Sequence, residues 1–175
     1  MRLLSRRCWL LALLLPPLLA TGCGDARRGR QEGAVTLREN EPGVVTTSDP
    51  RMEQAMDEAK RTLPSFVAAF ESPRPNQLGF SIKSRFVDGD EAEFMWIGLE
   101  ETDGTSFRGV LMNEPVNLSN VRSGHPVLIP REEVSDWMYV EDGKLVGGYT
   151  IRVLQEILEG EDLEEFRRQL PFTLD

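Results

Sequence analysis

Two alternating runs flanking a tight turn constrain this chain more than any other stretch. Leu78 to Phe86 sets Leu78, Phe80, Ile82 and Ser84 on one side and Ser81, Lys83 and Arg85 on the other, the two-residue period of a β-strand. Asp88-Gly89-Asp90 is a hairpin turn signal. Ala92 to Leu99 then alternates again, with Phe94, Trp96 and Gly98 on one face and Glu93, Met95, Ile97 and Leu99 on the other. Apolar residues on both faces mark a central strand. Asp103-Gly104 is a second turn, and Ser106 to Met112 forms a third strand that Asn113-Glu114-Pro115 stops. Asn117 to Gly124 reads as loop, and Pro126 to Ile129 and Val134 to Val140 as two further short strands. About five strands with short turns predict a mostly antiparallel, curled or barrel-like sheet.

Helices flank this region. Ser48-Asp49-Pro50 is a helix start: Ser or Asp can accept from the free N–H groups of the first turn, where Pro50 loses nothing by lacking its own. Met52, Met56, Ala59, Leu63, Phe66, Val67 and Phe70 recur at spacings of three and four, one apolar face of a helix of about twenty residues. Pro64 predicts a kink or break near Thr62-Leu63. Thr150 is a candidate cap for the helical run Ile151, Leu154, Ile157 and Leu158, and Asp162 to Leu170 reads as a short amphipathic helix. The expected fold class is α+β, with a leading amphipathic helix, the curled sheet and C-terminal helices in one domain over residues 48–175. With 40% hydrophobic and 28% charged residues there is apolar material for one core.

The N-terminus reads as an address. Arg2, Arg6 and Arg7 precede an apolar run, Trp9 to Ala20, that Pro16-Pro17 breaks. At about a dozen residues it is shorter than the ~20 needed to cross a bilayer. Ala20-Thr21-Gly22-Cys23 resembles the lipobox of bacterial lipoproteins. The resemblance implies that residues 1–22 are a signal peptide and that Cys23 carries acyl chains such as palmitate, anchoring the chain to a membrane. Residues 23–47 would then be a polar tether. Gly24 rather than Asp after the cysteine favours, in a host with two membranes, the periplasmic face of the outer one. Cys8 leaves with the signal and Cys23 is acylated, so no thiol remains for a disulfide, a nucleophile or a metal. Without residues 1–22 the chain carries 17 basic against 29 acidic side chains, a net charge of −12. Such a surface repels phosphate backbones, which argues against a nucleic-acid partner.

Several stretches together are similar to the bacterial family catalogued as domain of unknown function 2314. They are Phe80-Ser81-Ile82-Lys83, Glu93-Phe94-Met95-Trp96, Phe107 through Pro115, and Asp136-Trp137-Met138-Tyr139 through Gly147-Gly148-Tyr149-Thr150-Ile151-Arg152. The resemblance covers about residues 50–160 and implies no activity. Members often carry His where this chain has Phe94, so any role tied to that His is absent here.

Candidate chemistry is sparse. His125 is the one histidine, in the turn Ser123-Gly124-His125-Pro126, and a Ser-His-Asp triad would have to pass through it. No cofactor or metal site is expected. One enzymatic reading is a cell-envelope hydrolase of glycosidase type using Glu93 and Asp136, each within three residues of a tryptophan, as paired carboxylates. The leading reading is non-enzymatic: a lipid-anchored module that binds a protein or another envelope component. Its candidate patch is Lys83, Glu93, Trp96, Asn113, Asp136, Trp137, Tyr149 and Arg152, in which Lys83, Glu93, Asp136 and Arg152 form charge-assisted pairs and the large aromatics supply contact area. The same cluster also reads structurally, with Asp136 fixing a turn and Gly147-Gly148 supplying positive φ. If Cys23 is the anchor, Cys23→Ser moves the protein from the membrane to the soluble fraction; unchanged fractionation refutes lipidation.

Overall fold

A computed structural model of the chain describes residues 36–37, 45–46 and 49–174. The signal peptide, Cys23 and most of the expected tether lie outside the described residues. Within the tether region, β1 (Thr36–Leu37) pairs antiparallel with β2 (Val45–Thr46), a two-residue ladder that the polar sequence did not suggest.

Helix α1 runs from Arg51 to Glu71. Asp49 serves its start: its carboxylate accepts the Arg51 N–H at 2.9 Å and the Arg51 guanidinium at 2.7 Å, and these contacts hold its pKa down at about 2. Ala55, Ala59, Leu63, Phe66 and Val67 form the buried stripe. Pro64 does not break the helix. Pro64 and Lys60 are both exposed, so the Lys60 carbonyl that loses its partner faces solvent, where water replaces the missing N–H.

Six strands follow: β3 (Gln77–Asp88), β4 (Glu91–Thr102), β5 (Ser106–Leu111), β6 (Pro126–Pro130), β7 (Val134–Glu141) and β8 (Lys144–Gly147). They form one antiparallel sheet in the order β6-β5-β4-β3-β7-β8. The strand beyond the expected five is β8. Asp142-Gly143, with φ of 51° and 79°, turns β7 back into it, the positive-φ pair that a two-residue hairpin requires. Helices α2 (Tyr149–Ile157) and α3 (Gly160–Gln169) complete the domain. After α3 the chain returns to the edge, where Thr173 bridges Lys144 of β8 in parallel. The opposite edge strand, β6, is five residues long with proline at each end.

The connection between β6 and β7 dictates the curl. In a flat sheet those strands lie four spacings apart, about 19 Å. Only the 3-10 turn Arg131–Glu133 separates Pro130 from Val134, and four residue steps span at most about 14 Å. The sheet therefore bends around α1. Phe66 stands at the centre of that bend, with ring centroids of Phe80, Phe107, Trp137 and Tyr139 at 5.9, 6.4, 5.2 and 6.5 Å. Phe107 on β5 and Trp137 on β7 are three strands apart, yet both reach the same ring. The inner core thus draws on β3 to β7, including Ile82, Met95, Ile97, Leu111, Ile129 and Val134.

A second, smaller core lies against the outer face. Leu145, Ile151, Leu154, Leu158 and Phe166 pack there with Met138 and Trp96. It covers the β7–β8 end of that face. Replacing Phe66 with Ala removes the common contact of the inner ring cluster, and a loss of about 3–5 kcal/mol is expected in urea unfolding; a loss below about 1 kcal/mol would show that the curled sheet holds without it.

Candidate functional site

Among the described residues, Asp136 is a polar group held on every side. It is fully buried on β7. Its Oδ1 accepts the N–H of Trp137 at 2.8 Å and of Tyr149 at 3.2 Å, and its Oδ2 accepts the Thr150 N–H at 2.8 Å and hydroxyl at 2.7 Å. Helix α2 begins after Gly148, which has no side chain to cap it. Asp136 does so from another element, satisfying the first free N–H groups and placing negative charge at the positive helix end. Thr150, expected as the cap, instead hands its hydroxyl to Asp136.

The Gly147-Gly148 pair makes the corner that brings α2 to the carboxylate. Both have positive φ, 73° and 61°. A Cβ at Gly147 would stand 2.5 Å from the Trp137 ring, and one at Gly148 would stand 2.5 Å from the Leu145 side chain. Arg152 binds the corner from the helix, donating to the Gly147 carbonyl at 3.1 Å and the Leu145 carbonyl at 2.8 Å.

Lys83 faces Asp136 directly across the β3–β7 ladder. It is half-buried, its Nζ 3.3 Å from Thr150 Oγ1 and 5.6 and 6.0 Å from the ring centroids of Trp96 and Phe94. Burial pushes the lysine pKa down, against the pull of Asp136. Burial likewise pushes the Asp136 pKa up, opposed by its hydrogen bonds from Thr150, by Lys83 and by the Trp137 N–H. Both displacements run toward the uncharged forms.

The expected patch divides among three places. Lys83, Trp96 and Asp136 share the outer face. Trp137 is 3% exposed, its indole N–H bonded to the Ala59 carbonyl at 2.9 Å, and half-buried Tyr149 packs edge-on against it. Trp137 belongs to the inner core and is closed to a partner, while Tyr149 packs against that core and keeps part of its surface exposed. Glu93 and Asn113 fix loops: Glu93 accepts the N–H groups of Val116 and Asn117, and Asn113 Oδ1 accepts the Trp96 N–H at 2.7 Å. The expected network of charge pairs does not form: Glu93 and Arg152 bind backbone, and Lys83 reaches Asp136 only through the Thr150 hydroxyl.

The hydrolase geometry is absent. Glu93 lies opposite Phe86 and Asp136 opposite Lys83. Phe86 and Lys83 are three positions apart on β3, so the two carboxylates point to opposite faces of the sheet. Asp136 is also wholly engaged and closed to solvent. Among the described residues, no cluster of three or more His, Cys, Asp and Glu side chains is placed to hold a metal ion. His125 sits half-buried in its turn, its carbonyl accepting the Leu111 N–H at 2.9 Å.

Phe94, Met112 and Leu128 were not singled out in the sequence as contact residues, yet they stand on the open part of the outer face. Phe94 is 46%, Met112 55% and Leu128 61% exposed. Phe94 shares the parity of Trp96 and Gly98 on β4. The Met112 Sδ lies 3.5 Å from where a Gly98 Cβ would project. Leu128 is opposite Arg108, two residues from the Val110 that faces Gly98. A groove of about 420 Å³ lined by Phe70, Leu78, Phe80, Ser81, Gly98 and Met112 continues this face toward the end of α1.

Comparison with known proteins adds a family. The family described as "Uncharacterized protein conserved in bacteria (DUF2314)" matches residues 49–174, further than the 50–160 of the motifs and through both C-terminal helices. The uncharacterized protein YegJ of Escherichia coli is 29% identical over 119 residues, 68% of this chain and 76% of YegJ. A Neisseria meningitidis protein that carries an ankyrin-repeat name is 41% identical over 78 residues, 45% of this chain. The matched region is 31% of that protein's length. No solved structure matches the chain.

Replacing Asp136 with Asn turns an amide donor toward groups that are themselves donors. The expected result is a loss of about 2–4 kcal/mol with faster hydrogen exchange at the Tyr149 and Thr150 amides. Unchanged exchange there would show that α2 starts without this cap.

Proposed function

This chain belongs to the DUF2314 family of bacterial proteins, and we propose that it is a lipid-anchored, non-enzymatic module of the cell envelope that binds a protein partner through the open outer face of its sheet. The observation that carries this reading is the row of Phe94, Met112 and Leu128, each at least 46% exposed on one face. Large exposed apolar side chains that share one face are candidates for an interaction site. Polar groups share the face, with Arg108 beside Leu128 and paired to Glu101 at 2.6 Å, and Lys83 at its inner end. The lipobox-like N-terminus supports the location: the periplasmic side of the outer membrane in a host with two membranes.

The binding surface therefore differs from the one the aromatic content suggested. Trp137 and Tyr149 build the scaffold, and Phe94 with its neighbours meets the partner. Photo-crosslinking residues placed singly at positions 94, 112 and 128 in cells are expected to yield the same discrete protein adduct, and one at the exposed Lys60 on α1 is not. Adducts to lipid or glycan at the three positions would replace the protein partner, and the same adduct from Lys60 would remove the outer face as the site.

A further inference from the structure

Lys83, Thr150 and Asp136 form a hydrogen-bonded chain that neither helix capping nor the contact surface requires. Asp136 has four donors without Lys83. Thr150 Oγ1 accepts from Lys83 Nζ at 3.3 Å and donates to Asp136 Oδ2 at 2.7 Å, so the three groups make a directional path from an amine to a buried carboxylate. The choice of side chain is informative too. Only three of the chain's twenty basic residues are lysine: Lys60, Lys83 and Lys144. Lys60 and Lys144 are exposed, and Lys83 alone is half-buried. Lysine, unlike arginine, can give up its proton in a desolvated site.

We propose that Lys83 is a nucleophilic amine, activated through Thr150 by Asp136, that captures an aldehyde or ketone at the inner end of the outer face. The ammonium proton passes to Thr150 Oγ1 as the threonine hydroxyl proton passes to Asp136 Oδ2. The freed lone pair forms the bond to the carbonyl carbon. The carbonyl oxygen then leaves as water with the two remaining amine hydrogens, and a neutral imine results without any oxidant or reductant. The half-exposed Phe94 ring and the Trp96 ring flank Nζ, so a carbonyl compound with an aromatic or flat apolar substituent fits best. The downward displacement of the lysine and the upward displacement of the aspartate agree with this direction of proton transfer.

The test is competitive labelling of the full chain at pH 7 with benzaldehyde and cyanoborohydride, read by peptide mass spectrometry at each lysine. Exposure alone ranks Lys83 last. Activation predicts that Lys83 is modified about tenfold faster than Lys60 or Lys144, and that Thr150→Val abolishes this advantage while leaving the other two rates unchanged. Labelling of Lys83 slower than Lys60 in the native chain, rising only in urea, overturns the proposal, as does an advantage that persists in folded Thr150→Val. Crosslinking from positions 112 and 128 of the unsubstituted chain separates the two readings: discrete protein adducts without a labelling advantage at Lys83 sink the amine and leave the contact face standing, and an advantage at Lys83 without such adducts does the reverse.

Discussion

A single buried carboxylate joins the two halves of this domain. Asp136 lies on β7, whose inward side chains touch Phe66, and its oxygens hold the first turn of α2, which carries the outer core. A charged group in such a place is costly unless every lone pair is used. Here four donors converge on it, three of them backbone N–H groups whose positions are fixed by a strand and a helix. The two glycines before α2 are the other half of the same device. Any side chain at Gly147 would strike the Trp137 ring, so the corner closes tightly enough for the carboxylate to reach the helix only because that side chain is missing.

The curl forced by the short β6–β7 link divides the labour of the two sheet faces. Bending around Phe66 concentrates large rings on the inner side, where Trp137, Tyr139, Phe80 and Phe107 fill the space. It leaves the outer side broad, and α2 with α3 covers only the part nearest β7 and β8. Lys83 sits at the boundary, with the covered, buried Asp136 on one side and the open Phe94 on the other.

Much of this was legible in the residues. The apolar stripe of α1 and strands β3 to β7 follow from local periods and turn chemistry. Strand β8 did not, because Lys-Leu-Val-Gly between two glycine turns is too short to show a period and becomes a strand by pairing with β7. Facing was the harder matter. Glu93 and Asp136 each lie close to a tryptophan in sequence, and only the β3 register reveals that they point apart. The burial of Trp137 and the exposure of Phe94 were hidden for a similar reason: alternation shows that β4 has two apolar faces, but which part of each is covered depends on packing between distant segments. The capping of α2 left one trace, a helix start at Gly-Gly with no side chain able to serve it, which signals that an acceptor must come from elsewhere.

Both borders of the sheet are closed. On one side β6 is short and has proline at each end; on the other, the Thr173 segment lies along β8 and takes up the Leu145 N–H and the Gly143 carbonyl. Proline and a docked segment deny a newcomer the row of free main-chain groups that strand addition needs. What the sheet leaves accessible is a face of side chains, so single substitutions at Phe94, Met112 or Leu128 change the surface it presents without any change to the backbone beneath.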